Sequence, residues 1–131
     1  MRLLLDTNVL IPLVDTSGPS LPALYRDLLR RDDVFLYASV ASVWEVAIKH
    51  RLGKLPLPIP LEDWPQALVS LNITSLSVFT AHVVAAVDPP FSGRDPFDQL
   101  LLGVCAAERM QLVTRDTKLL LHPLAWQPGS A

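Results

Sequence analysis

The chain alternates between short apolar runs and longer stretches whose apolar residues recur at helical spacing. Residues 2–5 form a brief apolar run that stops at Asp6, the pattern of a buried strand. Residues 34–37, 73–76 and 111–114 read as further strands, and 124–126 as a last edge strand. Residues 22–31 place Leu24, Tyr25, Leu28 and Leu29 on one helical face. Residues 39–52 carry a stripe of Val40, Val43, Trp44, Ala47 and Ile48, with Gly53 at the C-cap. Residues 61–71 are predicted helical with Pro65 in the first turn. Residues 77–87 are predicted helical with Val78, Ala81, Val84 and Ala85 turned inward. Residues 96–110 give the strongest helix pattern, with Asp95 as cap and Pro96 at the first helical position. Residues 116–121 complete the series as a short helix.

Helices and short apolar strands in alternation predict an α/β fold, with a parallel sheet covered by helices on both faces. The prolines punctuate it. Pro12, Pro19 and Pro22 flank an early break, Pro56, Pro58 and Pro60 make an extended connector, and Pro89, Pro90 and Pro96 bracket a later loop. Neither an internal repeat nor a low-complexity tract is present. A length of 131 residues predicts one domain, residues 1–131, because two would each have a marginal core. No apolar run is long enough to span a bilayer, and the apolar start is too short for a signal peptide. The single cysteine, Cys105, excludes an internal disulfide and suits a reducing cytoplasm. A formal net charge of −2 means that a polyanion needs a local basic patch or a metal ion to bind.

In parallel sheets ligands sit at the carboxyl ends of strands. Asp6 closes the first strand run, and Asp116 follows the fourth. Each also has a plain structural role as a helix cap. Glu45 stands four residues before Lys49, which suits an exposed ion pair, but its neighbours Val43, Trp44, Val46 and Ala47 are apolar. Asp95 and Asp98 in Arg94-Asp95-Pro96-Phe97-Asp98 resemble a capping arrangement, with Asp95 mainly a cap and Asp98 free to project into a site. Together these acids suggest a convergent carboxylate cluster. Such a cluster repels itself unless a cation joins it, and oxygen ligands favour Mg²⁺ or Mn²⁺. Ions so held commonly activate water against a phosphodiester. Lys49, Arg51, Lys54, Arg94, Arg115 and Lys118 lie near the acids in sequence, either as a solvated surface or as a phosphate-contacting rim. His50, His82 and His122 have no metal-ligand spacing. Trp44, Trp64 and Trp126 are read as core or interface residues, and Cys105 as core.

Four stretches resemble the PIN-domain ribonucleases, most closely the VapC-type toxins of toxin–antitoxin pairs. They are Leu3-Leu4-Leu5-Asp6-Thr7-Asn8-Val9-Leu10, Ala41-Ser42-Val43-Trp44-Glu45-Val46-Ala47-Ile48-Lys49 with Leu52-Gly53-Lys54-Leu55, Arg94 to Leu102, and Leu112-Val113-Thr114-Arg115-Asp116. They stand in the family order. The resemblance implies a three-layer α/β/α sandwich and a metal-dependent endoribonuclease. Its catalytic, metal-holding acids match Asp6, Glu45, Asp98 and Asp116, with Mg²⁺ or Mn²⁺ as cofactor. Thr7, Asn8, Asp95 and Thr114 are the supporting residues, and Lys49, Arg94 and Arg115 the substrate-binding ones. Gln99 stands where the family commonly has arginine. The partners implied are RNA, a VapB-type antitoxin and a second copy of the chain, with no membrane. Leu10, Ile11, Leu13 and Val14, with Leu55, Leu57 and Ile59, are expected to form exposed interface surface. The alternatives are a PIN nuclease of RNA processing without an antitoxin and a non-catalytic α/β binding module. A phosphatase or receiver-type domain fits less well, since Asn8 stands where phosphatases carry a second aspartate.

Overall fold

Three consecutive leucines, Leu3, Leu4 and Leu5, are completely buried and form the centre of β1 (Arg2–Leu5). A strand with no polar alternation must be covered on both faces, and that is how the chain folds. The computed structural model describes residues 1–129. β1 is followed by α1 (Thr7–Val14), α2 (Ala23–Leu29), β2 (Phe35–Ser39), α3 (Val40–Arg51), α4 (Trp64–Ser70), β3 (Ile73–Leu76), α5 (Thr80–Val84), α6 (Pro96–Glu108) and β4 (Gln111–Val113). All pairings between these strands are parallel, in the order β3-β2-β1-β4.

The crossovers β1→β2 and β2→β3 step the same way, so right-handed connections place α1 to α4 over one face. The step to β4 returns past β1 and puts α5 and α6 over the other. The two-residue period of the strands sorts the leucines accordingly. Leu3, Leu5, Ala38 and Val113 join Val9, Leu10, Tyr25, Val46, Trp64 and Leu68 in one core. Leu4 and Leu112 join Leu101, Leu102, Val104 and Cys105 in the other. The result is a three-layer α/β/α sandwich with a central parallel sheet, as the resemblance implies.

Several elements differ from the sequence pattern. The early apolar run is not exposed surface: it is α1, with Val9 and Leu10 fully buried despite Pro12 inside the helix. Leu55, Leu57 and Ile59 are partly buried against the first core, because alternate residues of an extended segment point the same way. The helix expected over 77–87 shortens to α5, and its face is reversed. Val83 and Val84 are exposed, and His82 is the buried residue. The reason is polar and steric. His82 Nδ1 accepts a bond from the Phe79 amide, and Nε2 lies 2.8 Å from Glu108 Oε1. Gly103 of α6 lets the α5 backbone in so closely that an added Cβ would stand 2.3 Å from the His82 carbonyl oxygen. Residues 116–121 form only a 3-10 turn, Leu119–Leu121. The last edge strand is a single parallel bridge between Leu112 and Ala125. Among the described residues no helix is long and apolar enough to cross a membrane.

The α5–α6 contact gives a direct test. Gly103→Ala must push backbone off backbone, so it should lower stability by about 2 kcal/mol, as overpacking does. Chemical denaturation measures this; an unchanged midpoint would show that the two helices do not meet so closely.

Candidate active site

β1 lies between the strand that follows it and the strand that ends the sheet. The crevice where the strand order reverses therefore opens at the carboxyl ends of β1 and β4. Asp6 is the first residue after β1, and Thr114 is the first and Asp116 the third after β4. The Asp6 amide donates to the Val113 carbonyl at 2.9 Å, which locks the two strand ends together.

Asp6 is buried and serves as N-cap of α1, accepting from the Thr7 amide at 2.7 Å on one oxygen. The Thr114 hydroxyl donates to the other at 2.7 Å, and itself accepts the Asp116 amide at 3.0 Å. Asp116 Oδ1 in turn receives the Lys118 and Leu119 amides at 2.8 and 3.3 Å. Asn8 reaches from α1 to accept the Arg115 amide at 3.1 Å. Glu45 comes from α3, whose start is capped by Ser39. The carboxylate is buried and clamped: Thr7 donates to Oε1 at 2.6 Å and Lys49 to Oε2 at 2.7 Å. Asp95 caps α6 through the Phe97 and Asp98 amides at 2.8 and 3.4 Å, which leaves the Asp98 side chain free to project. Trp44 and Phe97 stand immediately before Glu45 and Asp98, and their rings meet edge to face at 5.3 Å, clasping α3 to α6.

These elements bring Asp6, Glu45, Asp98 and Asp116 to one cavity of about 170 Å³, with Thr7, Asn8, Lys49 and Asp95 also in its wall. Asp95 is thus both cap and site residue. Burial pushes the Asp6 carboxyl up to about 6, against the pull of its bonds from Thr114 and Thr7, and the charges of Glu45 and Asp116 add to the rise. Partial burial pushes Asp98 up to about 7, reinforced by Asp95, Asp6, Asp116 and Glu45. The Lys49 ammonium is held charged, first by its bond to Glu45 and then by the surrounding acids. Among the described residues no three acidic, histidine or cysteine side chains stand close enough to enclose an ion as they are. The acids line a cleft rather than a closed shell. Its donor chemistry nonetheless fits a hard divalent cation, being all oxygen and carrying like charges that nothing but Lys49 offsets within the cavity.

Beside this cavity lies a wider groove of about 580 Å³, which shares Asp95, Asp98 and Asp116 and adds Arg94, Arg115 and Lys118. Arg94 and Arg115 therefore flank the acids, while Lys49 stands among them. Gln99 donates to the Gly93 carbonyl at 3.1 Å and so steadies the loop before α6. Two contributors escape the sequence pattern. Ile11 walls the cavity from α1, and Tyr25 supports the site from α2, where it reads only as part of an apolar face.

A model of the PIN domain family matches residues 3–122. Ribonuclease VapC16 of Mycobacterium tuberculosis is 47% identical over 45 residues, 34% of this chain and 32% of that protein. The chain thus matches about a third of the length of this curated relative. The crystal structure of VapBC2 from Rickettsia felis bound to a DNA fragment from their promoter is similar in fold, with a TM-score of 0.65, 15% identity and 97% of both chains covered. A toxin-antitoxin complex from Klebsiella pneumoniae gives a TM-score of 0.65 at 20% identity over 98% of both chains.

The raised carboxyls make a pH prediction for the metal-free chain. A carboxyl whose folded value lies above its unfolded 3.8 contributes stability that is fully present below 3.8 and is lost as pH rises through about 6 for Asp6 and about 7 for Asp98. Asp98→Asn removes one such loss. In EDTA it should match the parent at acid pH and exceed it by about 1 kcal/mol at pH ~8, a figure kept small because Asp98 is only partly buried. Thermal melts across that window decide; a variant no more stable than the parent at the alkaline end refutes the carboxylate crowding.

Proposed function

The chain belongs to the PIN domain family, and on that premise we propose that it is a metal-dependent endoribonuclease, the VapC-type toxin of a toxin–antitoxin pair. The observation that carries the reading is the meeting of four acids from four distant stretches in one cavity at the strand-order reversal. Asp6, Asp98 and Asp116 would hold Mg²⁺ or Mn²⁺, with Glu45 directly or through water. When bound, such a cation supplies an activated water and offsets charge growing on the phosphate. The chain's own residues do the rest. Thr7 and Thr114 fix the buried carboxylates of Glu45 and Asp6, so that their oxygens need no reorientation. Lys49 holds Glu45 from the other side and puts a positive charge at the cavity wall. Arg94 and Arg115 flank the groove where an RNA backbone would approach, which answers the overall negative charge locally.

We place the protein in the cytoplasm as a homodimer. A VapB-type antitoxin is the proposed inhibitor: an arginine from its tail would pair with the clustered acids and compete with cation and RNA. The two structural neighbours, VapBC2 bound to promoter DNA and a toxin–antitoxin complex, support that partner.

The test is cleavage of total RNA by the purified chain with Mg²⁺, Mn²⁺ or EDTA. Activity should require the ion, and Asp6→Asn and Asp98→Asn should each abolish it while remaining folded. Cation binding must displace protons from Asp6 and Asp98, so affinity should increase as pH rises through 6 to 7. Full activity of both variants, or in EDTA, would remove the nuclease assignment. Asp95→Ala should lose about 1 kcal/mol of stability as a lost cap but keep measurable cleavage, whereas Asp98→Ala should lose cleavage with a smaller change in stability. Melting curves and turnover of the two side by side show whether the division holds. Co-expression with the product of an upstream reading frame should yield an inactive complex on size exclusion; a chain that ignores it and cuts RNA unchanged is a PIN nuclease of another kind.

A further inference from the structure

The loop after β4 is held at three successive residues by side-chain groups. The Arg115 amide goes to Asn8 and the Asp116 amide to the Thr114 hydroxyl. The Thr114 carbonyl is held from outside the cleft: it accepts the Tyr25 hydroxyl of α2 at 2.8 Å. Tyr25 is buried, and its ring meets Trp126 edge to face at 5.8 Å, so the hydroxyl is delivered at a fixed height. Thr114 is completely buried, and its side chain bonds both Asp6 and Asp116. A shift of its carbonyl therefore moves a residue whose side chain bonds both acids.

We infer that Tyr25 is a positioning residue: by fixing the Thr114 carbonyl it sets where Asp116 stands relative to Asp6, the two acids that would share a divalent cation. The role of the two acids rests on the nuclease reading, whereas the tether itself rests on geometry alone. Without the hydroxyl, a buried carbonyl is left to find another donor, and the loop relaxes toward one.

Tyr25→Phe keeps the ring and its contact with Trp126 and removes only the donor. In the full chain, amide exchange at residues 114–116 should speed up about tenfold while β4 stays protected. The dissociation constant for Mn²⁺, measured by calorimetry without RNA, should rise roughly tenfold, the scale of losing a group that orients a metal ligand. KM for RNA should stay the same and kcat at limiting Mn²⁺ should fall. Leu28→Ala, a core truncation on the same helix, controls for general loosening. It should lower the melting temperature yet leave exchange at 114–116 and Mn²⁺ affinity within twofold. Unchanged loop exchange or unchanged Mn²⁺ affinity in Tyr25→Phe overturns the inference, as does an equal effect from Leu28→Ala. A parent chain that neither binds Mn²⁺ nor cuts RNA overturns the nuclease reading and the positioning role with it, and loop exchange then decides the tether alone.

Discussion

Like charges crowded in a half-buried cleft are the constraint on which the rest of this structure turns. Five carboxylates, Asp95 among them, line one cavity that also holds a single lysine. Asp6 and Asp98 both resist ionisation there, chiefly because water has been withdrawn and then because their neighbours are also negative. Left to itself, such an arrangement would spread apart. It does not, because Asp6, Glu45, Asp95 and Asp116 are anchored by neutral donors that leave their charge in place: backbone amides for Asp6, Asp95 and Asp116, and threonine hydroxyls for Asp6 and Glu45.

Those anchors exist only because the sheet is wound as it is. The reversal between β1 and β4 leaves two strand ends side by side without a helix closing over them, and the Asp6–Val113 backbone bond fixes their relative height. Residues 108 positions apart then meet as Thr114 and Asp6. The two cores beneath have different tasks. The leucine-rich side under α6 gives Asp98 a rigid base, and the larger core under α1 to α4 supports Asp6, Glu45 and Tyr25 at once. A site stabilised from below in this way can hold unfavourable charge, which under the proposed function a cation would offset, at a cost in stability that the packed layers absorb.

Under the proposed nuclease function, the arrangement also accounts for how one acidic chain would handle a polyanion. The basic residues are few, but Arg94, Arg115 and Lys118 gather in the groove that shares its acids with the cavity. The field there alternates in sign over a short distance, suited to a phosphate on one side and a cation on the other. The same contrast would make the cleft attractive to a basic side chain from a protein inhibitor, so that the proposed activity and its inhibition would draw on one set of charges.

The alternation of apolar runs and helical stripes was enough to determine the layered α/β class, because strand and helix periods are local properties of the chain. The caps at Asp95 and Gly53 were legible for the same reason: they act within a turn of their own position. The order of four motifs pointed to the acids. Sequence could not decide which face of α5 turns inward, since that depends on Gly103 and Glu108, both from α6. Nor could it show that the early apolar run is buried, or that Tyr25 serves Thr114 rather than merely filling the core. Burial and hydrogen bonding between residues far apart in the chain are fixed only when the layers close, because a side chain's partner is then set by distance in space and no longer by spacing along the sequence.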